Sequence, residues 1–570
     1  MRKPEGLVYG VNDVPPARVA FPAALQQVAF LAALLGVPGL AASRLGLETG
    51  MYLSLTATTL FCAGVVTLLQ GFGRFGLGAG LFYPLQCTTA AIPALLYASS
   101  EGLSLAQNFT MVAVVGLSQI VFSFVIYRLR GIFTVEVAGL AVFLIGVGLG
   151  QQGLVLILDV PTGHSTATMH LGIAAFTLAT LVILHVYVRH RLRLFTNLIG
   201  LAAGLAVSAL LGQLDPFDVA QFNAATWVNF PSLPLFGWSL EAGAIVPFAV
   251  TGFVFALTSM GVQTIAQRNN DRDWKAPDLL SIGRGIRAEG VMHLLAAGIN
   301  ALPMVASGGA VALAAASGCT ARTLAFWTGG LLILFSFVPK IMGFWFLMPD
   351  SVTGALFLFL STFTTVNGLQ LVASRVLDAR KVLAIGMGFV TAIAYEPIRH
   401  ILEGRAPELR FVTFSSFAVS VLVTVCLLAL FRLGVTRRVV RQFIPGEASH
   451  DEVASFIEAE GARWGARTDV VQRGAFVAWQ AIDLIGRDLV DGNHQTIEVA
   501  TSYNDLVFDI ILRYEGVAPP IANRPPTAEE LLEDPDRAAQ LTGFLISKLT
   551  PDLRVQRAGS RWELHLRLPV

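Results

Sequence analysis

Residues 302–313 read LPMVASGGAVAL, a proline followed by small, uncharged residues inside a long apolar region. Proline at 303 and glycines at 308 and 309 are poor helix-interior material, because one removes a backbone donor and the others carry the largest conformational entropy cost. An apolar crossing with such an interruption leaves backbone N–H and C=O groups unpaired, which a bilayer tolerates only where protein, water or solute satisfies them. A second interruption lies in the first half of the chain, LFYPLQCTTAAIPALL, with Pro84, Thr88, Thr89 and Pro93 inside an apolar stretch. Paired interrupted spans in corresponding positions of two halves point to the midplane site of a transporter.

The rest of the chain agrees with a membrane reading. Of its 570 residues 54% are hydrophobic and only 14% charged, where a soluble domain carries about 25% charged residues. Apolar stretches of spanning length, about 20 residues, recur from Phe21 to Leu433. Segments near 20–42, 52–71, 76–98, 108–127, 134–150, 170–188 and 195–213 make about seven crossings. Segments near 242–266, 286–305, 306–318, 322–338, 350–372, 381–395 and 411–433 make about seven more. The first apolar stretch leads directly into further spans, so no cleaved signal peptide is expected. The net charge of +1 gives no global field for nucleic acid. Cys62, Cys87, Cys319 and Cys426 all fall in apolar stretches without zinc spacing, and read as small buried hydrophobes.

Basic residues set the orientation. Arg2 and Lys3, Arg74, Arg128 and Arg130, and Arg189, Arg191 and Arg193 lie on one side. Arg268 to Arg287, Arg322, Arg375 to Lys381 and Arg437 to Arg441 continue it, whereas the opposite loops SEGLSLAQN and GQQGLVLILDVPTGHSTATMH contain no lysine or arginine. The expected arrangement is a multi-pass protein of the cell (inner) membrane, in contact with membrane lipid, with both termini cytoplasmic. Residues 1–19 form a cytoplasmic N-terminal segment and 20–434 the transmembrane domain. From about Thr436 the charge rises and short alternating patches appear, TIEVAT, DLVFDIILRY and RWELHLRLPV, with helix-like stretches DEVASFIEAEGARWG and AAQLTGFLISKL between them. Residues 435–570 are therefore expected to fold as a cytoplasmic α+β domain.

The order and spacing of several stretches resemble the nucleobase–ascorbate transporter family, the uracil and xanthine permeases. They are LVYGVNDVPPARVAFPAALQQVAF, VAGLAVFLIGVGL, GRGIRAEGVMHLLAAGINALP and RTLAFWTGGLLILFSFVPKIMGFWFLMPDSVTGALFLFLSTFTTVNGLQL, within residues 7–435. The resemblance implies an all-α polytopic fold of seven spans plus an inverted seven. Spans 1–4 and 8–11 would form a core domain and 5–7 and 12–14 a gate domain. Spans 3 and 10 would each be a short strand followed by a half-helix, with Ala306–Ala312 as the turn between them.

The site-bearing positions depart from the family pattern. Thr258 stands where relatives carry a glutamate in span 8, Gly309 and Ala310 where span 10 carries Glu or Gln followed by Asn, Gln27 where span 1 carries His, and Ala90 where span 3 carries Phe. Without carboxylates at 258 and 309 the usual proton-coupling device of the family is missing. Two half-helix N-termini would still present unpaired N–H groups and a partial positive charge, which favour anions. The expected substrate-binding residues are Gln27, Thr88, Thr89, Ala90, Thr258, Ser307, Gly308 and Gly309. The solute is a nucleobase-like heterocycle or a small anion, and a sensor or scaffold signalling through the C-terminal domain is the rival class. No catalytic residue, metal or cofactor is expected. Outside the site, Glu136 reads as a solvated carboxylate at the edge of span 5 and His293 as a satisfied packing histidine. The family commonly dimerises through the gate domain.

Residues 440–570 also resemble the ATP-binding domain of anti-sigma-factor and histidine kinases, in the order helix, strands, helix, final strands. The chemistry of that family is not carried over: Trp479 and Asp483 stand at its Mg²⁺-holding Glu and Asn, and Tyr514-Glu515-Gly516 at its Asp-x-Gly. A degenerate domain that binds a cytoplasmic protein partner, or a nucleotide weakly, is the expectation.

Overall fold

The computed structural model describes residues 2–569 except 48, 129–131, 159–163, 189–194, 215–218, 220–221, 224, 231–235, 275–276, 344–346, 375–376, 378, 406–414, 432–437, 465, 467, 490–495, 504–506, 522–523, 525, 527–536 and 551. Arg130, Arg189, Arg191, Arg193, Lys275, Arg375 and Arg437, used above for orientation, lie outside the described residues. Two compact units emerge, Met1–Val372 with Met387–Val425, and Ala373–Gly386 with Cys426–Val570.

The first unit is helical. Its first half runs α1 (Ala17–Ala32), α2 (Thr49–Phe72), β1 (Leu85–Cys87), α3 (Ile92–Ser100), α4 (Val112–Val125), α5 (Val135–Leu158), α6 (His164–Val186) and α7 (Thr196–Leu210). The second half runs α8 (Ile245–Asn270), α9 (Leu279–Gly298), β2 (Met304–Ala306), α10 (Gly308–Ala316), α11 (Leu324–Ser336) and α12 (Asp350–Val372). Helices α13 (Ala379–Arg405) and α14 (Ser416–Phe431) follow, with Ala379–Gly386 and Cys426–Phe431 assigned to the second unit. Seven helical stretches among the described residues are long and apolar enough to cross a membrane. The stretch 76–98 is not one helix but a loop, strand β1 and half-helix α3, as the interruption at Pro84 demands.

Glycines show how the halves fit together. A Cβ on Gly64 of α2 would lie 2.7 Å from the Gly329 carbonyl oxygen of α11, and one on Gly329 2.8 Å from the Gly64 oxygen. The same reciprocal contact joins Gly116 of α4 to Gly290 of α9, at 2.5 and 2.6 Å. Under an exchange of the two halves, the pair second-with-eleventh becomes ninth-with-fourth, so these crossings are equivalents of one another. The pair fifth-with-twelfth maps onto itself. There Gly139 faces Gly368 and Leu371, Gly146 faces Thr365, Gly150 faces Ser361, and Gly153 faces Gly354, so α5 and α12 run antiparallel in backbone contact. Small residues permit this approach, and membrane helices gain most of their association from such packing.

The N-terminal segment is tied to the end of α10. Val8 and Tyr9 donate from their backbone nitrogens to the Gly318 carbonyl, and Thr320 N–H donates to the Tyr9 carbonyl. Asp13 holds this turn by accepting from Gly10 N–H at 2.9 Å and from Lys3 at 3.1 Å.

In the second unit β3 (Arg438–Phe443), β4 (Ile497–Tyr503), β5 (Val507–Glu515), β6 (Asp552–Ala558) and β7 (Arg561–Pro569) form one antiparallel sheet in the order β3-β4-β5-β7-β6. The period-two alternation sends Phe508, Ile510, Leu512 and Tyr514, with Leu564, Leu566 and Leu568, to one face. There they pack with α15 (His450–Trp464), α16 (Thr468–Leu484) and α17 (Arg537–Leu549). The other face carries cross-strand ion pairs, with Arg513 between Glu498 at 2.7 Å and Glu563 at 2.5 Å. Hydrogen bonding from Arg513, and then from His565, holds the Glu563 carboxyl below its ordinary range.

A depressed carboxyl pKa contributes stability that is complete at neutral pH and is lost as the pH falls through the folded-state value. Replacing Arg513 by Met leaves two half-buried carboxylates facing each other and should destabilise this sheet by about 1–3 kcal/mol at neutral pH. Hydrogen exchange of residues 497–515 and 561–569 in the full chain reads the loss. The difference from the unmutated chain should shrink below about pH 4.

Candidate functional site

The two interrupted crossings meet. Strand β1 pairs with β2 in antiparallel register, Leu85 opposite Ala306, Gln86 opposite Val305 and Cys87 opposite Met304, and all six residues are buried. Pairing three residues from each half satisfies backbone groups that an extended chain would otherwise strand inside the membrane. Beyond each strand a hydroxyl residue caps the following turn. Thr88 Oγ1 accepts from Ala90 N–H at 3.2 Å, and Ser307 Oγ accepts from Ala310 N–H at 3.1 Å. Ser307 Oγ–H donates to Gln86 Oε1 at 2.5 Å, tying the second cap to the first strand.

This geometry places the expected site residues in distinct roles. Thr88 and Ser307 spend their hydroxyls on caps, and the N–H of Ala90 is turned to Thr88 rather than left open. Thr258 Oγ1 donates to the Val254 carbonyl one turn back on α8. Thr89 and Ala90 are only partly buried, whereas Gly308 and Gly309 are buried. Gly308 and Gly309 open α10, so their N–H groups have no intrahelical acceptor. Thr258 and Val262 share a face of α8, and Val262 Cγ2 would lie 3.6 Å from a Cβ at Gly308. Gln27 is on α1, 1% exposed, and its Oε1 has no hydrogen-bond partner; its neighbour Gln26 is 3% exposed with Nε2 unpartnered. Phe30 follows Gln26 and Gln27 at i+4 and i+3 on the helix surface, and the tip of its ring stands over Gly309. Helix α1 thus brings an aromatic ring to the start of α10 and carries an unpartnered amide donor and acceptor one turn before that ring.

A buried polar chain lies behind β2. Met304 N–H donates to His293 Nε2 at 3.0 Å. A backbone N–H can only donate, so Nε2 is the unprotonated nitrogen and Nδ1 carries the hydrogen. That hydrogen is donated to Gln119 Oε1 at 2.6 Å, which turns Gln119 Nε2 toward Glu289 Oε2 at 2.9 Å. Ser259 Oγ–H donates to the same Glu289 oxygen at 2.6 Å, and Glu289 Oε1 has no partner. Helices α4, α8 and α9 and strand β2 are joined by this chain, and Glu289 and His293 are fully buried.

Glu289 was missed by the sequence reading. Next to Arg284 and Arg287 in RGIRAEG it passes for the solvated end of a span; the signal was its i, i+4 spacing to His293, which lies in the apolar second half of the helix. His293 is a satisfied histidine, as expected, but a polar link rather than packing alone. Glu136 is a correction. It is fully buried rather than solvated, because it occupies the first turn of α5, where the positive end of the helix favours a carboxylate.

In the second unit the positions matched to the kinase-type Mg²⁺ ligands are engaged otherwise. Trp479 meets the His450 ring edge-on with centroids 5.2 Å apart, and Asp483 pairs with Arg487 at 3.0 Å. Tyr514 donates to the Val517 carbonyl at 2.9 Å and Glu515 pairs with Arg561 at 3.1 Å.

Comparison with known proteins bears on the first unit. The family model Xan_ur_permease, described as "Permease family", matches residues 18–396. The uric acid permease PucK of Bacillus subtilis (strain 168) is 26% identical over 361 residues, covering 63% of this chain and 82% of that protein. The xanthine permease XanP of Escherichia coli (strain K12) is 24% identical over 417 residues, covering 70% and 89%. Among solved structures, the transmembrane domain of the cyanobacterium bicarbonate transporter BicA aligns over 74% of this chain and all of its own, with 14% identity and a TM-score of 0.46.

Proposed function

The chain belongs to the permease family whose model spans residues 18–396, and from that premise we propose that it carries a nucleobase-like heterocycle of the xanthine, uracil or purine type across the cell inner membrane. That it is a multi-pass membrane transporter of a small molecule, and not an enzyme, follows from its family. The observation that carries the finer reading is the face of α1. Gln26 and Gln27 are buried with one amide donor and one amide acceptor unpartnered. One turn later on the same helix a ring stands over Gly309, whose N–H and that of Gly308 lack helical acceptors. Buried orphan groups cost about 1–3 kcal/mol each. A solute that presents donors and acceptors on one planar edge, as a lactam heterocycle does, relieves both kinds. An inorganic anion relieves only donors. The substrate contacts proposed are Gln27, Thr89, Gly308 and Gly309, with Thr88, Ala90, Thr258 and Ser307 shaping the two turns around them.

Movement would be of the elevator type, the strand-bearing core (α1–α4, α8–α11) shifting against the gate (α5–α7, α12–α14), with both termini cytoplasmic. Lipid surrounds the gate helices, through which a homodimer would form, and residues 435–570 would meet a cytoplasmic protein partner. A small anion is the second reading, favoured by the positive end of α10 and the absence of a carboxylate at 309. Uptake of labelled xanthine, uracil and urate into proteoliposomes, against sulfate and dicarboxylates, tests the proposal. Saturable uptake of at least one heterocycle, competed by the others and not by the anions, is the expected result. Uptake of anions alone would replace it with the second reading, and binding without uptake would indicate a sensor.

A further inference from the structure

Gly309 and Phe30 share one space. A Cβ built on Gly309 would lie 2.3 Å from Phe30 Cζ, 3.0 Å from Cε1 and 3.3 Å from Cε2, so the tip of the ring occupies the volume that any side chain at 309 would need. The neighbouring Gly308 has only Val262 within reach, at 3.6 Å, so the crowding is specific to the second residue of α10. Phe30 is itself 7% exposed, and Gln26 and Gln27, each with an unpartnered amide atom, lie one turn before it on α1. Aromatic side chains supply large apolar contact with fixed geometry. Here the ring stands against the first residues of α10, whose N–H groups have no helical acceptor. We infer that Phe30 is a specificity-determining residue, the wall that sets how large a solute fits against the start of α10, and that Gly309 lacks a side chain because Phe30 fills its place. The inference rests on the heterocycle reading above and names the residue that selects among heterocycles.

A pocket wall changed by one or a few carbons alters discrimination by about 10- to 200-fold. Binding of uracil, xanthine and 1,3-dimethylxanthine to the full chain in detergent, by calorimetry, provides the test. Phe30→Ala should raise the affinity for 1,3-dimethylxanthine relative to uracil by about tenfold or more. Gly309→Ala, which puts a methyl group into the ring, should weaken all three by about tenfold, and Phe30→Ala with Gly309→Ala should restore binding with the widened preference. Phe30→Leu, a milder change in case the alanine variant does not fold, should shift the preference in the same direction by less. An unchanged order of affinities in folded Phe30→Ala or Phe30→Leu overturns the inference while leaving the heterocycle reading intact. Failure of the unmutated chain to bind any of the three overturns both.

Discussion

Gly368→Leu is expected to yield little correctly assembled protein, while Gly148→Leu on the partner helix is expected to fold normally. A Cβ at Gly368 would lie 2.3 Å from the Phe143 nitrogen, 2.5 Å from its Cα and 2.7 Å from its Cβ, so the collision is with backbone and no rotamer relieves it. Helices α5 and α12 must then separate, and the contacts Gly139–Leu371, Gly146–Thr365, Gly150–Ser361 and Gly153–Gly354 open with them. The cost is set at about 3 kcal/mol or more, the upper part of the range for overpacking, because a whole helix face moves rather than one side chain. A Cβ at Gly148 would have nothing within 4 Å, so the same leucine enters open space. Monodisperse yield and thermal midpoint in detergent decide the matter. Equal behaviour of the two variants would refute the packing argument. Gly116→Leu and Gly329→Leu, at the two crossings related by exchange of the halves, should resemble each other more closely than either resembles Gly148→Leu.

That contrast also marks what the chain discloses before folding. Spans are legible because a bilayer requires apolar runs, and the two broken ones because Pro84, Pro303 and the small residues after them cannot sustain a helix interior. The alternation in DLVFDIILRY and RWELHLRLPV announced strands β5 and β7, since one face must be buried and the other wet. The pairing of Gln86 with Val305, the bond from Ser307 to Gln86, and the ring of Phe30 over Gly309 are long-range events. No local pattern encodes them. The cap roles of Thr88 and Ser307 were not legible: each hydroxyl accepts from an N–H of the turn that follows its strand, because the first turn of each half-helix needs an acceptor for its own N–H groups. One buried carboxylate was misjudged and another passed over, for one reason. Glu136 and Glu289 lie close to basic residues in sequence, and proximity to charge reads as proximity to water, yet both are fully buried.

Glu289→Gln is the second large effect expected, a fall of about 100-fold or more in uphill transport with little loss of fold. The amide fits the existing geometry. Its oxygen can accept from Ser259 and Gln119 as Glu289 Oε2 does now, at 2.6 and 2.9 Å, and its nitrogen takes the place of Oε1, which has no partner to lose. What disappears is a titratable group in the membrane interior, joined through Gln119 and His293 to the backbone of β2. Intramembrane carboxyls are costly and are retained for binding or coupling. The prediction assigns to Glu289 on α9 the coupling role that carboxylates at 258 and 309 would have served. His293→Leu gives the complementary case: it strands Met304 N–H and Gln119 Oε1 in the interior, which should cost about 2–6 kcal/mol and lower stability as well as transport. In proteoliposomes, Glu289→Gln should retain solute exchange at equal concentrations but lose accumulation driven by an inward proton gradient. Accumulation at the unmutated rate would show that the Glu289 carboxyl is structural and that the gradient, if used, is read elsewhere.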